Sequence, residues 1–336
     1  MSIFTRRFGF YLIAGVKKAL LIVNPISGTR SKRGIGKFVS DKLANFDIET
    51  EVFRTQKKGD AFLKAKEAAQ NGVDMVITAG GDGTVNEAAN GIAFSETTLG
   101  ILPFGSGNGL ARTIGIPLDT YEALKIISLG NKLKIDRGMA NDIPFYCTFG
   151  MGFDANVSEK FSTMKKRGKI SYIRSAIREY LNYRSQPYAI SINDKIVTEK
   201  ALLIAVCNAS QYGNNAYISP KAKLTDGLLD ITLVHSDNPL STMVMAVDLM
   251  TGMIDKNRSI ETFQTPLATI ARIEEGPVHI DGEPFHMGKK IDIRCESESL
   301  NVFAPEREQP FRPFLSPFRA MLDDVRYDLI GKKKFD

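Results

Sequence analysis

Residues 77–91, ITAGGDGTVNEAANG, hold the densest chemistry in the chain. Gly80, Gly81 and Gly83 surround Asp82, after an apolar run that reads as a buried strand and before a helical segment. Glycine lets backbone N–H groups approach an anion closely. A helix N-terminus behind such a loop adds about half a positive charge. Phosphate groups suit that arrangement, and a carboxylate among phosphates makes sense when Mg²⁺ or a hydroxyl proton lies between them. The plainer alternative is a strand–turn–helix connection in which Asp82 caps the helix. Asn24-Pro25-Ile26-Ser27-Gly28 and Leu102-Pro103-Phe104-Gly105-Ser106-Gly107-Asn108 each follow another strand-like run. In a parallel sheet all three loops share the carboxyl edge, where ligands of open α/β sheets bind. No GxxxxGK[ST] loop is present, and GSGNG at 105–109 matches GxGxxG poorly, so the usual NTPase and dinucleotide folds are disfavoured.

The elements that must position these loops alternate. KALLIVN, VDMVITA and LGILPF are short apolar runs that read as buried strands, and IETEVF alternates as a strand does. Residues 34–46, 61–70 and 85–93 carry helical spacing. Strands alternating with helices predict a parallel sheet covered on both faces. After Asp136 the runs are mostly strand-like, among them KALLIAVCN, LLDITLV, ATIARIE and KIDIRC. One helical segment, about 169–183, interrupts them, and Asn193-Asp194 marks a hairpin. A second, mainly antiparallel domain is expected, with a helical appendage from about residue 311.

The chain has 336 residues, a net charge of +6 and a pI near 9.0, which favours a polyanionic partner. No nucleic-acid recognition motif accompanies that charge, so no nucleic-acid partner is expected. The three cysteines, Cys147, Cys207 and Cys295, sit in strand-like runs and read as core thiols. The three histidines show no zinc-ligand spacing. No apolar run approaches the roughly 20 residues that cross a bilayer. The run at 8–16 follows Arg6 and Arg7 but lacks a small-residue cleavage site, so it reads as a surface extension. Residues 160–184 hold eight cations against Glu179 alone, with Ile170, Ile173, Ile177 and Leu181 at helical spacing. That basic helix is either a solvated face or a surface that rests on anionic headgroups.

Six segments occur in a telling order: NPISG (24–28), GGDGTVNE (80–87), LPFGSGN (102–108), FGMGFDANV (149–157), KLTDGLLDI (223–231) and IDGE (280–283). Together they resemble the diacylglycerol kinase catalytic-domain family, which includes soluble bacterial diacylglycerol kinases and sphingosine kinases. The resemblance spans about residues 18–305. It implies an N-terminal parallel α/β nucleotide-binding domain (17–137), an antiparallel β-sandwich domain (138–288) and an active site in the cleft between. Residues 289–305 would return to the first domain, followed by an extension, 306–336.

The resemblance implies ATP and Mg²⁺ as cofactors. Asn24, Pro25, Ser27, Gly28, Gly80, Gly81, Asp82, Gly83, Thr84 and Asn86 would hold the nucleotide, with hydroxyl contacts from Thr55 and Ser106. Asp226 would ligate Mg²⁺ with backbone oxygens of Lys223 and Leu228; a simple β-turn at Asp226-Gly227 is the alternative. Glu283 or Asp82 would take the acceptor's proton, and which one is left open. Asp154 and Asn156 would lie near the acceptor.

The partners implied are a lipid acceptor and an anionic membrane surface reached peripherally from the cytoplasm; a homodimer is left open. Asn156, where some sphingosine kinases have an acid, counts against a sphingoid acceptor. Asn108-Gly109, where diacylglycerol kinases usually have Asn-Asp, counts the other way. NAD kinases share a GGDGT loop, but the β-rich half, GFDANV and IDGE fit them poorly. The set Asp82, Asp226 and Glu283 argues against a non-catalytic sensor on the same fold.

Overall fold

Branched apolar runs become the centre of a sheet whose carboxyl edge carries the glycine loops. The computed structural model describes residues 17–28, 31–163, 183–192, 195–235, 239–306 and 310–330. Strand β1 (Lys17–Val23), helix α1 (Ile35–Ala44), β2 (Ile48–Arg54), α2 (Asp60–Gln70), β3 (Met75–Gly80), α3 (Asp82–Ile92) and β4 (Thr98–Pro103) alternate as expected. The strands pair in parallel in the order β2-β1-β3-β4. Every residue of β3 and β4 is buried, whereas the edge strand β2 is largely exposed. Helix α3 starts at Asp82, three residues before its apolar periodicity begins at Val85. Helices α4 (Gly109–Ile114) and α5 (Thr120–Leu129) complete this layer, and Asp119 caps α5 through the N–H groups of Tyr121 and Glu122.

The second half contains β5 (Lys132–Ala140), β6 (Ile143–Phe145), β7 (Thr148–Gly152), α6 (Phe153–Thr163), β8 (Gln186–Ile192), β9 (Lys195–Ala201), β10 (Leu203–Cys207) and β11 (Leu229–Val234). It continues with α7 (Pro239–Thr251), β12 (Ile260–Thr265), β13 (Leu267–Arg272), β14 (Gly276–Ile280), β15 (Glu283–Met287), β16 (Lys290–Phe303) and α8 (Leu315–Ile330). A six-stranded antiparallel sheet, β12-β11-β10-β7-β14-β15, faces the antiparallel part of the larger sheet. Phe149, Met151 and Val206 from one layer meet Ile190, Ile270 and Ile291 from the other in one apolar core.

The long strand β16 joins the two halves. Near its start it pairs antiparallel with β13, and at its end Asn301 and Val302 pair parallel with β4. Strand β5 runs antiparallel along both parts, with a bulge between Glu296 and Leu300. The ten-stranded sheet is therefore mixed, parallel only in its nucleotide half. Asp136, buried on β5, secures the bulge by accepting from Glu298 N at 2.7 Å.

Periodicity missed α6 and α7, each set among strand-like apolar sequence. The helix expected at 169–183 lies almost wholly outside the described residues, as do the Asn193-Asp194 turn and residues 1–16. Strands β8 and β9 pair antiparallel on either side of that turn, with Ile192 opposite Lys195. The appendage helix begins at Leu315.

Candidate active site

The three loops touch along the carboxyl edge of β1, β3 and β4, and glycine makes the approach achievable. Gly28 has φ +65°, and a Cβ there would lie 1.8 Å from the carbonyl oxygen of Phe104. A Cβ on Gly105 would lie 2.7 Å from the Cα of Gly81. Backbone thus packs on backbone, which draws the three loops into one rim at the start of α3. Asn24 ties the first loop to the second: its Nδ2 donates to Thr84 Oγ1 at 3.0 Å, and its Oδ1 accepts from Ile26 N at 3.1 Å. Ser27 Oγ donates to the carbonyl of Asn24 at 3.2 Å. The buried Lys32 donates to the carbonyl of Ser27 and lies over the Phe104 ring. Pro25 and Ser106 are exposed at the rim, and Thr55, half-buried, follows β2 and donates its N–H to the carbonyl of Val23 at 3.0 Å.

Asp82 is not a helix cap. The capping position is Gly81, and the carboxylate instead accepts from the N–H groups of Asn108 at 2.9 Å and Gly109 at 2.7 Å. It therefore fastens the second loop to the third. Burial pushes its carboxyl above the ordinary range and the nearby Asp281 charge adds to this, while the two N–H donors pull it down.

Asp281, in the turn between β14 and β15, is the centre of the contact between the two halves. Its oxygens accept from Tyr146 N, Cys147 N and Thr148 N at 3.0, 2.8 and 2.9 Å, and from Asn86 Nδ2 on α3 at 2.8 Å. Burial raises its carboxyl, against the pull of those donors. Asn86 thus spends its side chain on this lock. Two residues on, Glu283 sits against the α3 N-terminus: a Cβ on Gly83 would lie 2.9 Å from Glu283 Oε1. Its Oε2 pairs with Lys58, and the Glu283 side chain remains 42% exposed, open to a ligand in the cleft.

The remaining predicted residues lie on α6 and on a turn beside the β16 bulge. Asp154, at the start of α6, accepts from Tyr212 OH at 2.9 Å and His279 Nε2 at 3.1 Å, and its other oxygen accepts from Ala155 N. Its carboxylate is thereby bound within the protein instead of presented to an acceptor. Asn156 is half-buried one turn into the same helix, and Ser158 donates to the carbonyl of Gly282 at 2.8 Å, which lays α6 along the 281–282 turn. Lys223, Asp226 and Leu228 form a separate loop on the β16 bulge. Asp226 is exposed and its Oδ1 accepts from Leu228 N at 3.2 Å, while Gly227 N donates to the buried Asp136 at 2.7 Å. An exposed carboxylate on such a turn fits a hydrated Mg²⁺. Among the described residues no group of three or more His, Cys, Asp or Glu side chains forms a ready cage.

Sequence reasoning missed Asp281, Tyr212, His279 and Arg112. Asp281 stood inside the quoted IDGE segment; the others belong to no motif and meet only through the fold. Arg112 donates to the carbonyl of Gly107 at 3.1 Å and to Asn215 Oδ1 at 3.1 Å, so the third loop also leans on the sandwich half. Cys147 and Cys207 are free, buried thiols raised by burial, and the half-buried Cys295 is pushed up to about 12. All three are inert at neutral pH. Two surface hollows of about 430 and 390 Å³, over β13/β16 and β1/β2, hold none of the predicted site residues.

Residues 18–140 match the family described as the diacylglycerol kinase catalytic domain, and residues 147–304 the YegS C-terminal NAD kinase β-sandwich-like domain. A Chromohalobacter salexigens protein named a probable lipid kinase, YegS-like, is 32% identical, covering 69% of this chain and 77% of its own. A Bacillus subtilis protein named diacylglycerol kinase is 29% identical, covering 80% and 90%. A solved Bacillus anthracis structure, reported as a candidate diacylglycerol kinase, has a TM-score of 0.73 at 28% identity, covering 86% and 97%. The second description places the sandwich beside that of NAD kinases. The β-rich half therefore does not separate the two families, contrary to expectation; the match over residues 18–140 does.

Proposed function

The chain belongs to the diacylglycerol kinase catalytic-domain family, and on that premise we propose that it transfers the γ-phosphoryl group of ATP to a hydroxyl of a membrane lipid, diacylglycerol foremost. The observation that carries the reading is the interlocked glycine rim with Glu283 at its open side. Glycine loops gathered at the N-terminus of a helix suit the phosphates of a nucleotide.

ATP supplies the phosphoryl group and leaves as ADP, and Mg²⁺ supplies positive charge. Backbone groups of residues 24–28 and 80–86 and the α3 N-terminus would hold the phosphates, while Asp226 with Lys223 and Leu228 would hold a Mg²⁺ that braces their turn. Phosphoryl transfer asks the protein mainly for positioning and charge neutralisation. Asp82 has both oxygens engaged by backbone N–H groups, so it orders the third loop. Glu283 has an exposed carboxylate beside the helix N-terminus and takes the proton from the acceptor hydroxyl. Lys58 holds that carboxylate in place.

The acceptor reaches this cleft from a bilayer to which the protein binds peripherally. No described helix is long and apolar enough to cross a membrane. The test is a panel assay with γ-labelled ATP and mixed micelles of diacylglycerol, monoacylglycerol, sphingosine, ceramide or undecaprenol, with NAD as a soluble arm. Labelled phosphatidate supports the reading. Labelled sphingosine phosphate would move the acceptor within the class, and labelled NADP would refute it.

A further inference from the structure

Beyond the family-matched residues the chain continues into α8, whose two faces differ. On the inner face Asp324 accepts from Arg112 Nη2 at 2.9 and 3.0 Å and from Asn215 Nδ2 at 3.3 Å. Arg112 and Asn215 are the groups that brace the third glycine loop, so this bridge fixes the rotation of the helix. Pro317 is buried on the same side. At 3.6 residues per turn, Leu315, Phe318, Met321, Leu322 and Val325 fall in one sector about 120° wide, turned away from Asp324. Each is between 48% and 54% exposed. The exposed Arg319 and Arg326 border that sector along one edge.

The apolar stripe of a surface helix normally faces the core; this one faces outward. Helix α7 also exposes apolar side chains, with Val244, Val247 and Met250 50–60% exposed. Phe314 N donates to the carbonyl of Thr251 at 2.9 Å, which joins the end of α7 to the start of α8. We propose that this two-helix face is seated on an anionic lipid bilayer, with the apolar side chains at the headgroup–acyl boundary and the arginines at phosphate level. The inference draws its purpose, though not its evidence, from the membrane-borne acceptor proposed above.

Charge selects the occupant. On α8 Asp324 is spent on Arg112, and in the sequence Arg319 and Arg326 are balanced by Asp323 and Asp328, so the cation surplus lies in the segments that flank the helix. Arg312 precedes the helix, Lys332, Lys333 and Lys334 follow it in sequence, and the whole chain carries +6. A second copy of this face would gather surplus cations, whereas anionic headgroups neutralise them.

The chain has no tryptophan, so Phe318→Trp installs a single reporter. With phosphatidylglycerol-containing vesicles and no nucleotide, the full-length variant should show a blue-shifted emission that brominated acyl chains quench. Phe318→Asn/Val325→Asn should weaken vesicle binding roughly tenfold or more, and Arg319→Gln/Arg326→Gln roughly tenfold at low salt. Neither pair should change the unfolding temperature or turnover of a short-chain soluble acceptor. An unquenched tryptophan, or vesicle binding equal to wild type in both pairs, overturns the proposal. So does light scattering that shows a dimer broken by the asparagine pair while vesicle binding holds. Because vesicle binding is read without ATP, absence of any lipid phosphorylation would refute the kinase reading and leave this one standing.

Discussion

Asp281→Asn keeps the shape of the side chain and removes one acceptor oxygen. In the native protein Oδ1 serves Cys147 N and Thr148 N, and Oδ2 serves Tyr146 N and Asn86 Nδ2. With an amide nitrogen in place of Oδ2, two donors face a donor. The Tyr146 N–H belongs to the backbone and cannot turn away. Each stranded donor costs about 1–3 kcal/mol, and the two surviving bonds lose their charge assistance. Relief of the buried carboxylate's desolvation offsets part of this. The net loss is about 2–4 kcal/mol, which lowers the melting temperature of a chain this long by roughly 3–6 °C. Thermal unfolding followed by circular dichroism measures it. Asn86→Ala alone and combined with Asp281→Asn should show a coupling of about 1–2 kcal/mol, because the two residues share a bond. A melting temperature within a degree of wild type would show that Asp281 does not hold the two halves together.

Gly28→Ala must adopt a left-handed conformation, costing about 1–2 kcal/mol, and its Cβ would collide with the Phe104 carbonyl. The KM for ATP should rise by roughly tenfold or more, read from initial rates, and an unchanged KM contradicts the cradle. Asp226→Ala should weaken the Mg²⁺ dependence of activity and of melting temperature; identical titrations would make its loop a turn and nothing else. For Asp82, whose carboxyl is raised above its ordinary 3.8, the folded state holds the proton more tightly than the unfolded state. That contribution is full below pH 3.8 and is lost as pH rises through the folded value. The melting temperature of wild type should therefore fall relative to the non-titrating Asp82→Asn as pH rises above 3.8, and a constant difference would refute the sign.

The nucleotide half was legible because its signals are local. Buried runs such as KALLIVN, followed by Gly28 or Gly80-Gly81, mark where parallel strands end and loops begin. Asp82 could be singled out as chemistry, but its two N–H donors come from residues 108 and 109, and only the fold brings them near. Asp281 is the same case at longer range, since its donors lie at 86 and 146–148. Asp154 shows the limit of carrying a role over by motif, because Tyr212 and His279, distant in sequence, claim its carboxylate. Helix α7 was hidden by composition: Pro239–Thr251 is mostly apolar, so no regular polar face marks a helical period. The large sheet is mixed because β16 joins its parallel and antiparallel parts, each end pairing with a different partner.

In the proposed reaction the glycine rim holds the nucleotide and Glu283, at its open side, takes the acceptor's proton. Glu283→Gln tests this with γ-labelled ATP and a short-chain soluble diacylglycerol, following ADP and phosphorylated lipid together. Wild type should form equal amounts of both products, and the variant should show a kcat roughly 10²–10⁴ lower, with the Kd for ATP little changed. An unaltered kcat, or a large rise in the KM for ATP at constant kcat, would contradict it.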